Sequence, residues 1–189
     1  MRWEISTSAL RSDFVKRVEA NSRQNILACY QCGKCSAGCP VAHEMDILPN
    51  QIIRLVQLGM KDQVLNSRAI WICASCETCT TRCPQEVDIA RVIDALRNMA
   101  YRERRSSPEK EILVFNRVFV DNLASLGRLY EVGLILGYNL RSGHLFKDML
   151  KAPGMFLKGK INPIPPRVKG ARQLKALVKK IEAKERGER

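Results

Sequence analysis

Aromatic residues are scarce in this chain, at 6% of 189 positions, so any core must be built mostly from Leu, Ile, Val and Met. Histidine is scarcer still. His43 and His144 are the only two, and nothing in the sequence sets them together, so surface or ordinary polar roles are expected for both. No convincing strand alternation occurs, which argues against compact scaffolds built on β-hairpins. No G-x-G-x-x-G element supports a nucleotide or flavin site. Long hydrophobic runs are also missing. The most apolar short run after residue 110, Val132–Tyr138, falls far below the roughly 20 residues that span a bilayer. From Met1 to Asn25, charged and apolar residues alternate without the unbroken apolar stretch of a secretory leader. The expected location is therefore the cytoplasm.

Acidic residues are outnumbered, 19 against 32 basic ones, for a formal charge of +13 and a pI near 9.7. The bases concentrate late, from Lys147, Lys151, Lys158 and Lys160 through Arg167 and Lys169 to Lys179, Lys180, Lys184 and Arg186. No nucleic-acid motif accompanies them, so nucleic-acid binding is not expected. A basic surface equally suits docking on acidic protein partners. The remaining composition, 46% hydrophobic and 27% charged, is that of an ordinary folded chain.

What the chain does have is cysteine, eight residues in two matching groups. Cys29, Cys32, Cys35, Cys39 and Pro40 recur 44 positions later as Cys73, Cys76, Cys79, Cys83 and Pro84. In a reducing cytosol such cysteines read as metal ligands rather than disulfides. The spacing C-x2-C-x2-C-x3-C-P, intact twice, is the ligand pattern of proteins with two 4Fe–4S clusters. Three cysteines three residues apart let a short loop wrap one cubane. The fourth lies too far along, and the Pro turns the chain away, so it reaches the neighbouring cluster. On that logic Cys29, Cys32, Cys35 and Cys83 hold one cluster, and Cys73, Cys76, Cys79 and Cys39 hold the other. Zinc sites, which use paired C-x2-C ligands, would leave the triple spacing and both prolines unexplained; redox thiols and a disulfide scaffold fit less well. Eight ligands for two clusters leave no iron open to substrate, so no catalytic residue is expected on this chain.

Around the cysteines the pattern is helical. Residues 1–28 form a helical lead-in with Leu10, Phe14, Val15 and Val18 at helical spacing. Residues 29–105 form the two-cluster domain. Pro49 opens a helix carrying Ile52, Ile53, Leu55, Val56 and Leu58, and Gly59 stops it; a further helix lies near Asp62–Arg68. Asp88 caps another, with Val92, Ile93, Leu96 and Met99 inside. Asp46-Ile47 and Asp88-Ile89 look like equivalent exits from the two cysteine groups. Residues 106–189 form a cysteine-free helical region and a basic tail. Ser107-Pro108-Glu109 starts a helix running to Gly127, and a second spans Arg128 to about Leu140, with Gly133 and Gly137 for close packing. An extended segment from Gly154 to Lys169 is expected to lie along a partner. A last helix uses Leu174, Leu177, Val178 and Ile181. Tyr30, Trp71 and Ile72 flank the cysteine loops and would exclude water there. Lys34 and Arg82 lie where a positive charge would raise a cluster's potential, and Gly33 and Gly38 fit tight turns. The fold class is all-α, an α-helical ferredoxin domain with a helical lead-in and a helical, partly extended tail.

The motifs CYQCGKCSAGCP and CASCETCTTRCP, the insert ILPNQIIRLVQLG and the tail segments GRLYEVGLILGYN and LKGKINPIPPRVKG together resemble the C-type subunit of the soluble heterodisulfide reductase of methanogenic archaea, over nearly the whole chain. The resemblance implies a hetero-oligomer in which this subunit relays single electrons from a flavin-containing, bifurcating A-type subunit to a catalytic B-type subunit. The B-type subunit reduces the coenzyme M–coenzyme B disulfide, and a hydrogenase or formate dehydrogenase supplies the complex. The alternatives are the relay subunit of a paralogous disulfide, thiol or quinone reductase and, from a different class, a zinc-binding interaction protein.

Overall fold

The computed structural model describes residues 13–103, 105, 109–143 and 168–187, with side chains as far as 184. The described residues contain helices and turns and no strand, as the absent alternation predicts. The chain divides into two compact units, Met1–Glu109 and Lys110–Arg189.

The first unit opens with α1, Asp13–Ser22, whose Phe14, Val15 and Val18 are buried. Leu10 and the earlier part of the lead-in lie outside the described residues. A 3-10 turn at Ile26–Ala28 leads into the first cysteine segment, which contains the short helix α2, Lys34–Ala37. Next come α3, Pro49–Gln57, α4, Lys61–Leu65, and α5, Ala69–Ile72. The second cysteine segment contains α6, Thr78–Thr81, and feeds the long α7, Ile89–Arg102.

The ends of these helices follow from their residues. Pro49 supplies a fixed φ at the first position of α3, where its missing N–H costs nothing. Gln51 reaches back to accept from the Leu48 N–H at 2.9 Å. Gly59, at φ +69°, ends the run as the sequence predicts. Asp88 caps α7 by accepting from the Arg91 N–H at 3.0 Å. The expected equivalence of Asp46 and Asp88 does not hold. Asp46 instead accepts from the Arg68 and Ala69 N–H groups, both at 2.9 Å, and so caps α5 ahead of the second cysteine segment.

The core of this unit gathers Val18, Ile26, Ile52, Ile53, Val56, Val64, Leu65, Ile70, Val92 and Leu96, all fully buried. α7 is its axis, with α1, α4, α5 and α6 packed against it. Each fully buried aliphatic side chain contributes on the order of 1.5–3 kcal/mol. The stretches that present the cysteines therefore rest on a dense aliphatic base.

The second unit comprises α8, Lys110–Leu126, α9, Glu131–Ser142, and α10, Ala171–Gly187. The Ser107-Pro108 start and the segment from 144 to 167 lie outside the described residues. Gly127, at φ +80°, ends α8. Asn122 ties α8 to the start of α9, accepting from the Tyr130 N–H at 2.8 Å and donating to the Tyr130 carbonyl at 3.1 Å. A Cβ at Gly133 would stand 2.7 Å from the Tyr130 ring, and one at Gly137 2.9 Å from Val118. The two glycines thus permit the close packing read from the sequence. Leu174, Leu177 and Ile181, the apolar positions expected in the last helix, fall in α10 and are exposed.

Candidate iron–sulfur site

The cysteine repeat extends into the backbone. Gln31 and Ser75, equivalent positions in the two segments, both adopt positive φ, at +65° and +49°. So do Gly33 and Glu77, at +76° and +58°, each immediately before a one-turn helix. Left-handed backbone at successive alternate positions curls each segment around the space its cysteines face. Gly33 is there for that conformation. Gly38 is not, since its φ of −103° suits any residue. The absence of a Cβ makes room for Arg82, whose side chain would stand 2.6 Å from one. Arg82 of the second segment thereby lies against the first, next to Cys39.

Equivalent hydroxyls fasten the one-turn helices to the helices that follow. Ser36 donates to Asn50 Oδ1 at 2.6 Å and accepts from the Asn50 N–H at 3.0 Å. Thr80 donates to Asp88 Oδ1 at 2.9 Å. Behind each segment a second clamp engages one matching pair of carbonyls. Gln57 Nε2, on the buried face of α3, donates to Ile26 O at 2.9 Å and to Cys29 O at 3.0 Å. Arg97, on α7, donates to Ile70 O at 2.9 Å and to Cys73 O at 3.0 Å. Ile26 and Cys29 stand in the same register to the first segment as Ile70 and Cys73 to the second. Neither clamp was anticipated from the sequence. The available signal was a polar residue one helical turn after a core isoleucine, Ile53 before Gln57 and Ile93 before Arg97.

The fold brings Cys39 of the first segment to the second. A shallow recess, partly open to solvent, is lined by Cys39 together with Cys73, Cys76 and Cys79, and by Val41, Met45, Pro49, Ala90 and Ile93. On the other side, desolvation by its surroundings, the Cys32 sulfur and the charges of Cys83 and Cys29 push the Tyr30 hydroxyl above its usual value. Arg82, packed against Gly38, brings its neighbour Cys83 towards the first segment. Two N–H groups reach sulfur there: Gln31 Nε2 to Cys29 Sγ at 3.3 Å, and the Val87 backbone N–H to Cys83 Sγ at 3.3 Å. Cysteine lone pairs facing amide donors and a four-cysteine recess fit an anionic thiolate cluster. Among the described residues no three Cys, His, Asp or Glu side chains converge closely enough for a single metal ion. A tetrahedral zinc needs its thiolates about 2.3 Å from one atom, whereas a cubane spreads them over four irons.

Burial pushes the Cys35 and Cys79 thiols up, against opposing hydrogen bonds from Ser36 and Thr80. Hydrogen bonds from Thr78 hold Cys76 below its usual value. Each segment so offers one exposed cysteine, Cys32 or Cys76, and more sheltered ones behind. Trp71 is buried as expected, with its indole N–H unpartnered, but Tyr30 is 58% exposed and shields little. His43 is exposed, beside Glu44; His144 lies outside the described residues. No helix among the described residues is long and apolar enough to cross a membrane.

Comparison with known proteins agrees with this geometry. Residues 25–87 match the family model described as a 4Fe-4S dicluster domain. The chain is 32% identical over 96 residues to the C-type subunit of the H(2):CoB-CoM heterodisulfide,ferredoxin reductase of Methanothermobacter thermautotrophicus, covering 51% of this chain and 52% of that one. It is 44% identical over 77 residues to an iron-sulfur C-type subunit of the CoB--CoM heterodisulfide reductase of Methanocaldococcus jannaschii, covering 41% of each. A third relative, the C-type subunit of the Ferredoxin:CoB-CoM heterodisulfide reductase of Methanosarcina acetivorans, is 41% identical over 75 residues, 40% of this chain and 30% of that one. The chain thus spans about half the length, or less, of the curated relatives it matches. It carries a 4Fe–4S dicluster domain and is similar to the C-type subunits of methanogen heterodisulfide reductases.

Proposed function

We propose that this chain is the electron-relay subunit of a heterodisulfide-reductase-type complex and holds two 4Fe–4S clusters in crossed sets. Cys29, Cys32, Cys35 and Cys83 form the first set, and Cys73, Cys76, Cys79 and Cys39 the second. The observation that carries this reading is the recess in which Cys39, from the first motif, lines a common space with the three leading cysteines of the second. Clusters held by four thiolates each supply one-electron chemistry without an open coordination position. The protein's own share is to fix the thiolates through the Gln57 and Arg97 clamps, to aim N–H groups at sulfur, and to back the site with aliphatic side chains.

Disulfide reduction then belongs to a partner. By similarity, electrons enter from a flavin-containing A-type subunit, fed by a hydrogenase or formate dehydrogenase, and leave to a catalytic B-type subunit acting on the coenzyme M–coenzyme B disulfide. The complex is a cytoplasmic hetero-oligomer. The names of the relatives differ in donor, with hydrogen in one and ferredoxin in another. A relay that meets its donor through other subunits accommodates such variation.

Iron and acid-labile sulfide analysis of anaerobically prepared protein, with EPR of the dithionite-reduced state, tests the proposal. About eight irons and eight sulfides per chain, with the spectrum of two interacting cubanes, is the expected result. Zinc without sulfide would overturn it.

A further inference from the structure

The two cysteine sets have the same spacing but differ in what faces their sulfurs. In the set Cys29, Cys32, Cys35 and Cys83, two N–H groups donate to sulfur, from Gln31 and Val87. In the set Cys73, Cys76, Cys79 and Cys39, the donors among the described residues are Thr78, whose hydroxyl lies 3.4 Å from Cys76 Sγ, and Thr80 at Cys79, which matches Ser36 at Cys35 in the first set; no side-chain amide reaches a sulfur there. Ser75, the counterpart of Gln31, has no side-chain amide to offer.

The Gln31 bond is part of a built chain. The Asn50 backbone N–H donates to Ser36 Oγ, and Ser36 donates to Asn50 Oδ1 at 2.6 Å. Asn50 Nδ2 then points to Gln31 Oε1 at 3.5 Å. With its oxygen engaged, the Gln31 amide has only its nitrogen to present to Cys29. The left-handed backbone at Gln31, uncommon for a residue with a Cβ, holds it in that position.

Charge acts in the same direction. Glu77, which lines the second recess, occupies the position of Gly33 in the first segment, and it is followed by Thr78 where the first segment has Lys34. Arg97, behind the second set, directs its donors to carbonyl oxygens and stands 3.8 Å from Asp94. Arg82 packs against Gly38, next to Cys39 of one set, and is itself the chain neighbour of Cys83 of the other. Each set has one exposed cysteine, Cys32 or Cys76, and the first also has one that is buried, Cys35.

Reduction adds a negative charge to a thiolate cluster, and donors to sulfur and nearby cations stabilise the charge while carboxylates oppose it. Resting on the ligand sets of the proposed function, we infer that Gln31 is a tuning residue that makes the cluster of Cys29, Cys32, Cys35 and Cys83 the higher-potential one of the two. An electron on the chain at equilibrium then resides on the Gln31 side, and Glu77 keeps the other cluster low.

EPR-monitored redox titration of the anaerobic, cluster-loaded full chain tests this. Gln31→Leu removes the donor at similar size, and Gln31→Gly removes it while accepting the positive φ without strain. Both variants are expected to lower the upper of the two midpoints by roughly tenfold in the equilibrium constant, about 59 mV for one electron, and to leave the lower midpoint in place. Glu77→Gln is expected to raise the lower midpoint alone. Gln31 variants that keep eight irons but move the lower midpoint, or neither, would overturn the assignment. Wild-type protein without 4Fe–4S clusters would overturn the underlying function instead, so the two failures are separable.

Discussion

The two cysteine segments share spacing, left-handed turns and a pair of clamped carbonyls, yet different side chains hold them. A neutral amide, Gln57, binds Ile26 and Cys29 from α3; a guanidinium, Arg97, binds Ile70 and Cys73 from α7. What the repeat retains is the acceptor geometry, and the donor is free to change as long as it spans both oxygens. Gln57 is buried at 7% relative exposure, and its neutral amide suits that site. The Arg97 side chain is 23% exposed, so its charge is partly solvated and still within reach of the second segment.

Removing the clamps gives the largest expected effects. Arg97→Ala deletes two hydrogen bonds from a charged donor and should cost about 3 kcal/mol; Gln57→Ala deletes two neutral ones and should cost about 2 kcal/mol. Each loss should be local. Amide hydrogen exchange in the cluster-loaded protein should speed up at 70–73 in the Arg97 variant, where the Ile72 and Cys73 N–H groups close α5. In the Gln57 variant it should speed up at 28–29. Equal acceleration of both segments in both variants would mean that the clamps brace the unit as a whole and that the parallel between them is only geometric.

A smaller effect separates the helix starts. Asp88 both caps α7 and receives the Thr80 hydroxyl, so Asp88→Ala should cost about 1–2 kcal/mol, and Asp88→Asn much less because Asn also caps well. At α3 the same duties are divided among Gln51, Asn50 and Ser36. Gln51→Ala, removing one exposed bond, should cost less than about 1 kcal/mol. Thermal denaturation of the variants ranks the two starts, and a costlier Gln51→Ala would reverse the comparison.

The sequence exposed the parts of this architecture that depend on residue type and period. Pro49, Asp88, Gly59 and Gly127 each mark a helix end that the structure places where expected, and the eight cysteines stand out by their repeated spacing. The clamps were hidden, because a polar residue in an amphipathic helix is assigned to solvent unless its partners across the fold are known. The one-turn helices α2 and α6 were hidden because four residues display no period. Positive φ at Gln31, Ser75 and Glu77 escapes a reading that looks for glycine there. Leu174, Leu177 and Ile181 show the converse, helical spacing without burial among the described residues. In the second unit, spacing reports that a helix forms and not what covers it.

The smallest expected effect concerns the far ends of α3 and α7. α3 stops on backbone alone, at Gly59. α7 stops in a group of charges: Lys61 pairs with Glu103 at 2.7 Å, and Arg105 pairs with Glu103 at 3.3 Å and with Asp62 at 2.7 Å. Burial pushes the Glu103 carboxyl up, but the hydrogen bonds and charges of Lys61 and Arg105 outweigh it and hold the group below its ordinary 4.5. A carboxyl depressed in the folded state stabilises the fold above its unfolded value, and that contribution fades as pH falls through the folded value. The melting-temperature difference between wild type and Glu103→Gln should therefore be greatest near pH 6 and shrink below about pH 4.5. Gly59→Ala, strained at positive φ, should lower the melting temperature by an amount that does not change over the same range, because no titrating group is involved. If the Glu103→Gln difference also proved independent of pH, the charges at the end of α7 would be solvated ornaments on a helix that terminates, like α3, through its backbone.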